Sequence, residues 1–171
     1  MIQHLLDGIL VGSILSLGAI GLTMVMHILR FANFSHAELL SIGAYVALVF
    51  DKIFRVTMPL MANEIGSLSM TWALILSIIV SMVFTGASAV VFDRLIFRRI
   101  RAKGDELSMV FASFGLALIV RNLIGLIFGL STKLYSKDIV FATVLSRDPL
   151  LVVKLDQLAA FFITLVLMVV I

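Results

Sequence analysis

Long apolar runs alternate with short polar clusters along this chain, and the length of the runs decides its class. Ile9 to Leu29 holds about 21 residues without a formal charge and Thr71 to Phe92 about 22; as a helix, either reaches across a hydrocarbon core of roughly 30 Å. Lipid offers the backbone no hydrogen-bond partner, so such runs must be helices that satisfy their own N–H and C=O groups. A third run, Leu107–Leu130, is interrupted by Arg121 and Asn122, and a fourth, Leu158–Ile171, stays apolar to the last residue. At about 14 residues the fourth is too short for a crossing, and we expect a chain truncated inside a helix.

The stretch after the first run is the most informative. Arg30 to Glu38 breaks the apolar pattern, and Ser35 and Glu38 stand at the spacing of a capping box. In that motif the serine hydroxyl accepts from the backbone N–H three residues on, and the glutamate reaches back to the serine N–H. The spacing predicts a helix from Ser35 to Phe50, only about 24 Å long at 1.5 Å per residue, hence a broken or re-entrant segment lining a cavity. Asp51–Ser69 then reads as a polar connection. Asp93–Glu106 carries Arg94, Arg98, Arg99, Arg101 and Lys103, a basic loop of the kind that marks the cytoplasmic side. Threading back from it places the amino terminus outside. Ser131–Gln157 becomes a second outer connection, with Lys137–Val144 as a short hairpin strand. The expected architecture is all-α, a polytopic transmembrane helical bundle of about four to five membrane segments, one of them short or broken, in a single domain over residues 1–171.

Composition sharpens this picture. The chain is 62% hydrophobic and 13% charged, against about 45–50% and about 25% for a soluble domain. The absence of cysteine rules out disulfides and thiolate metal sites. A net charge of +3 needs no nucleic-acid partner, because cytoplasmic loops of membrane proteins are basic. A cleaved secretory signal does not fit either. No Lys or Arg precedes Ile9, and Arg30, Phe31 and Asn33 stand where a small-residue cleavage site would be. The sequence holds no phosphate-binding loop, no paired-histidine zinc motif and no nucleophile elbow. No enzymatic activity, metal or cofactor is expected of it, and any energy source must be a gradient or a partner protein.

Ionisable groups within or beside apolar spans are costly and point to function. Asn33, Ser35, His36 and Glu38 cluster at one helix start, whose free N–H groups attract anions and also need caps. Arg121, beside Asn122, lies about 14 residues past Leu107, some 21 Å along its helix and in the outer half of the bilayer. There it either snorkels outward or faces a water-filled cavity, pairing with a substrate carboxylate or with Asp7. His27 is a relay candidate or simply hydrogen-bonded. Small residues mark the helix-packing positions: Gly8, Gly12, Ser16, Gly18 and Gly21 in the first span and Gly43 in the second, where backbones can approach closely.

Three matches in order along the chain resemble the membrane permeases of bacterial branched-chain amino acid ABC importers. Gly18-Ala-Ile-Gly-Leu-Thr23 leads into Leu29-Arg-Phe-Ala-Asn-Phe-Ser-His-Ala-Glu-Leu39, Gly43-Ala-Tyr45 follows, and the basic Asp93–Arg101 stretch precedes Ser113-Phe-Gly-Leu-Ala-Leu-Ile-Val-Arg-Asn122. Together they cover most of Gly8–Gly129. Ala37 departs from the glycine of the family pattern. The family's second half, which holds the helix that touches the ATP-binding subunit, lies beyond the residues matched. The resemblance implies a second permease subunit, two cytoplasmic ATP-binding subunits that hydrolyse ATP, and a periplasmic substrate-binding protein, gathered at the bacterial inner membrane. It implies that the first span packs the core, that the helix from Ser35 lines the path, and that Arg121 orients a carboxylate. Related permeases carry urea, short amides or aromatic acids. The alternatives are a passive or gradient-driven channel using His27, Glu38 and Arg121, or a permease fragment without activity.

Overall fold

The computed structural model describes residues 2–63, 70–102, 106–135, 143–147, 150–153 and 155–170. The first apolar run forms one uninterrupted helix, α1 (Ile2–Leu29). It ends where Arg30 takes a left-handed φ of 59° and donates its N–H to Met26 O at 2.9 Å. This is the backbone turn that stops many helices, usually made by glycine.

Two compact units divide the chain. One holds α1 through Thr23, a two-stranded antiparallel hairpin of β1 (Thr143–Arg147) and β2 (Leu150–Val153), and helix α6 (Leu155–Val170). Of the strand expected over Lys137–Val144, only Thr143 and Val144 lie within the described residues, both in β1. The other unit runs from Met24 to Asn63 and from Thr71 to Tyr135. It contains α2 (His36–Thr57), a 3-10 turn (Pro59–Ala62), α3 (Trp72–Phe92), a π-helical turn (Asp93–Phe97), the short α4 (Arg98–Arg101) and α5 (Glu106–Phe128).

Within this second unit α2 packs chiefly on α3. The α3 face is built from Ala73, Ser77 and Ser81, four residues apart and buried. Ser77 and Ser81 turn their hydroxyls back to Leu74 O and Ile78 O at 2.7 and 2.8 Å, so they keep the seam narrow without leaving a polar atom unpaired. Gly43 sits at the closest approach: a Cβ added there would stand 3.0 Å from Thr85 Oγ1. Around Gly8, Gly12 and Gly18 an added Cβ meets nothing within 4 Å. Ser16 donates to Gly12 O in its own helix at 2.7 Å, and Gly21 is half-buried. The apolar centre is Phe31, Phe97, Met109, Leu116 and Val120, with the Phe31 and Phe97 rings 5.4 Å apart.

Three helical stretches among the described residues, Gln3–Leu29, Trp72–Arg101 and Glu106–Phe128, are long and apolar enough to cross a membrane, and Asp156–Val170 is a shorter apolar helix. Large side chains such as Leu15, Met82, Phe111 and Leu126 are exposed along them, as lipid-facing residues are. The chain is an integral membrane protein with an all-α architecture, the small hairpin apart.

Two features differ from the expectation. Helix α2 continues seven residues past Phe50 to Thr57, because Asp51 pairs with Arg55 one turn on, Nε to Oδ2 at 2.8 Å, and the charges are absorbed by the helix. At 22 residues and about 33 Å, it is long enough to cross. The basic cluster is not a loop up to Arg101: the π turn and α4 carry α3 on, and Arg101 bonds Asp93 at 3.2 Å. The 30 residues from Trp72 to Arg101 measure about 45 Å, more than a hydrocarbon core of roughly 30 Å. Helix α5 runs unbroken through Arg121 and Asn122, in keeping with the single span read over Leu107–Leu130, and Asn122 Nδ2 donates to Leu118 O at 2.7 Å.

Candidate functional site

The polar cluster at the start of α2 is first of all a turn held from two sides. Asn33 Oδ1 accepts from the Ser35 N–H at 3.1 Å and from the Ser35 hydroxyl at 2.6 Å, and both residues are buried. The expected capping box is therefore not formed. Ser35 stands at the N-cap with helical backbone angles and makes no side-chain cap, because its hydroxyl is spent on Asn33. The asparagine instead closes a turn on the backbone two residues ahead. From the other side comes Ser113 of α5, fully buried. Its Oγ accepts from Phe34 N–H at 3.1 Å and lies 3.3 Å from Ala32 O and 2.8 Å from Val110 O. Phe34 and Phe114 meet edge to face alongside. Ser113 sets the register of α2 against α5. The sequence marks Ser113 only as the first residue of the Ser113–Asn122 match and assigns it no role.

Beyond the turn, the candidate residues separate. Asn33, Ser35 and His36 border a cavity of about 360 Å³ closed by Leu29, Asp93 and Phe97. Glu38 and Arg121 border a different one of about 420 Å³, with Ser41, Tyr45, Ile124 and Gly125. The helix explains the split. Glu38, Ser41 and Tyr45 share one face at spacings of three and four, whereas positions two apart, such as His36 and Glu38, face different ways. Asn122 belongs to neither cavity; it is exposed and bonded to its own helix.

The second cavity is bordered by two charges, Glu38 half-buried and Arg121 exposed. Among the described residues, neither Glu38 nor Arg121 makes an ion pair or a hydrogen bond, whereas Asp51–Arg55 and Asp93–Arg101 both pair. Asp7, the other partner considered for Arg121, accepts from Gln3 in its own helix at 3.1 Å. Tyr45 is fixed in the wall by its ring contact with Phe128, centroids 4.5 Å apart. Ser41 was not singled out by sequence, and Tyr45 only within the Gly43-Ala-Tyr45 match, although both follow from Glu38 by helical spacing.

Past α5, Gly129 takes a φ of +79° and lets the chain turn back. Tyr135 then donates its hydroxyl to Ala44 O at 2.5 Å. Burial, and secondly the negative charge of Asp51, push the Tyr135 phenol above its ordinary value. Asp51 itself is 2% exposed, with Oδ2 on Arg55 and Oδ1 without a partner among the described residues.

The family model described as the permease component of the branched-chain amino acid transport system matches residues 4–171. The chain is 33% identical over 121 residues to the high-affinity branched-chain amino acid transport system permease protein BraD of Pseudomonas aeruginosa, covering 71% of this chain and 36% of BraD. It is 29% identical over 126 residues to LivH, the corresponding permease protein of Escherichia coli, covering 73% of this chain and 38% of LivH. The LivH of Salmonella typhimurium is similar at 28% over the same length. The chain spans little more than a third of the length of these relatives. No solved structure matches it significantly.

Proposed function

The chain belongs to the permease-component family of branched-chain amino acid transport systems, and on that premise we propose that it forms part of the membrane permease of an ATP-driven importer for branched-chain or related amino acids. The observation that supports this reading is the cavity between α2 and α5, where the half-buried Glu38 and the exposed Arg121 stand beside apolar helices without a partner among the described residues. Charges in that setting cost free energy and are retained where something polar passes or binds. In this proposal the partners are a second permease subunit, two cytoplasmic ATP-binding subunits that hydrolyse the nucleotide, and a periplasmic substrate-binding protein. The assembly sits in the bacterial inner membrane. The arginine-rich end of α3 and α4 faces the cytoplasm, and the amino terminus and the segment after α5 face outward.

The test is uptake of labelled leucine into proteoliposomes carrying the assembled importer. Uptake that requires both enclosed ATP and the loaded binding protein supports the reading. Uptake indifferent to both overturns it in favour of a channel in which His27, Glu38 and Arg121 carry ions. The orientation has its own test, eased by the absence of native cysteine. A cysteine replacing Leu134 reacts with an impermeant maleimide in intact cells, and one replacing Arg99 reacts only after lysis; the reverse pattern inverts the topology.

A further inference from the structure

The cavity on the His36 side of α2 is of another kind from the one beside Glu38. Its volume of about 360 Å³ lies between the end of α1, the turn before α2 and the end of α3. Val25, Ile28 and Leu29 line it from α1, Leu39 from α2, and Val90 and Phe97 from α3 and its π turn. Ile28 and Val90 are exposed, so the cavity is a groove that opens at the outer surface of the helices. Its polar groups gather at one end. Asn33 and Ser35 satisfy each other there, His36 stands at the start of α2, and Asp93 follows the end of α3. Arg101 belongs to the same end, because its Nη2 donates to Asp93 Oδ1 at 3.2 Å. The π turn between them, in which the Arg98 N–H reaches back five positions to Asp93 O, re-aims the arginines that follow it. An apolar groove with a guanidinium at its mouth fits an amphiphile with an anionic head. We propose that this groove holds an acyl chain of an anionic phospholipid, with the lipid phosphate on Arg101.

Depth, charge and size each point to that occupant. Trp72, exposed at the start of α3, is of the aromatic type that collects at a bilayer interface. Asp93 comes 21 positions later, about 31 Å along the helix, which is one hydrocarbon thickness of roughly 30 Å. With Trp72 at one interface, the apolar length of the groove lies at acyl-chain depth and its charged mouth at the level of the phosphates. Across Asp93–Arg101 four arginines stand against one aspartate. Arg94, Arg98 and Arg99 are exposed and form no ion pair among the described residues. Basic clusters beside membrane helices attract anionic lipid. Arg101 has five N–H donors, and its bond to Asp93 leaves most of them for phosphate oxygens, which a guanidinium meets with two parallel bonds. Size decides against a further helix. One helical turn, about 10–12 Å across and 5.4 Å high, exceeds the groove's volume of about 360 Å³, whereas a single flexible hydrocarbon chain enters it.

The inference needs only the membrane setting and stands apart from the permease reading. The full chain is reconstituted in vesicles of equimolar phosphatidylethanolamine and phosphatidylglycerol. Bromine atoms, which quench tryptophan, are carried in the acyl chains of one lipid or of the other. Trp72 is the single tryptophan, so Trp72→Phe gives a silent background. In it, Val90→Trp reports the groove, and Val91→Trp, exposed beside it, reports the ordinary surrounding lipid. We expect brominated phosphatidylglycerol to occupy the groove about fivefold more strongly than brominated phosphatidylethanolamine, and the two lipids to quench Val91→Trp alike. Adding Arg101→Gln abolishes the preference at the groove, and raised salt weakens it. Equal quenching of Val90→Trp by the two lipids overturns the proposal. So does protection of Val90→Trp from both lipids while Val91→Trp is quenched, which shows the groove to be covered by protein. A preference that Arg101→Gln leaves intact overturns it as well, because the headgroup is then held elsewhere. Should that variant fail to fold, a preference unmoved by salt is the overturning result.

Discussion

The two cavities beside the first turns of α2 begin two residues apart in sequence and differ in what their polar groups do. On the His36 side, Asn33 and Ser35 are buried and bonded to each other, and Ser113 ties the same turn to α5. On the Glu38 side, the charged groups have no partner among the described residues. The first set holds the backbone in place and the second is held in place by it. A polar cluster in an apolar sequence is thus two clusters, divided by the 100° step of the helix.

That contrast is open to breakage, most severely at the turn. Asn33→Leu removes the acceptor for two buried donors at once, at a cost of about 1–3 kcal/mol for each. We expect the purified protein in detergent to unfold at a clearly lower temperature or to disappear from the membrane, whereas Glu38→Gln leaves the melting temperature unchanged. Equal losses for the two would erase the distinction. Next in size is Gly43→Val, which drives a branched side chain into Thr85 and costs about 1–3 kcal/mol. Thr85→Ala in the same protein restores part of that loss, a coupling that a double-mutant cycle measures; strict additivity would show that the seam is looser than the 3.0 Å approach indicates. Ser113→Ala follows. It leaves the Phe34 N–H without its acceptor, for about 1–3 kcal/mol, and faster amide exchange at Phe34 and His36 is the expected sign.

The smallest effect belongs to Tyr135. Tyr135→Phe removes one hydrogen bond to Ala44 O, about 0.5–1.5 kcal/mol. The phenol is held above its ordinary value by burial and by Asp51, so the folded state keeps its proton more tightly than the unfolded state does. The contribution is therefore complete below about pH 10 and is lost as the pH rises through the raised value. Stability measured on the alkaline side should decline less steeply in Tyr135→Phe than in the parent protein; identical slopes would show that Tyr135 does not titrate differently on folding.

Much of the fold is legible in the residues alone. Run length against bilayer thickness locates α3, α5 and the carboxyl end of α1 closely, because lipid forbids any other backbone arrangement for an uncharged stretch that long, whereas α1 begins at Ile2 rather than Ile9. Family membership is legible too, from the Asn33–Glu38 stretch and the segments around it. The misreadings all concern polar residues. Asp51 and Arg55 read as a loop and are helical, because an ion pair one turn apart makes charge compatible with a helix. Ser35 reads as a cap and is engaged by Asn33, a competition that spacing does not reveal.

By itself, then, the sequence determined that this is a membrane protein, where its long helices run, and which few polar side chains the lipid environment makes expensive. Only the tertiary structure decided which of those side chains meet. Glu38 and Arg121 are 83 positions apart and share a cavity because Ser113 fixes α5 against the turn before α2. His36 is two positions from Glu38 and faces another. Burial and periodicity are local properties written in neighbouring residues, whereas the partner of a charge depends on how two helices are registered, and that register is set by side-chain contacts spanning the whole unit.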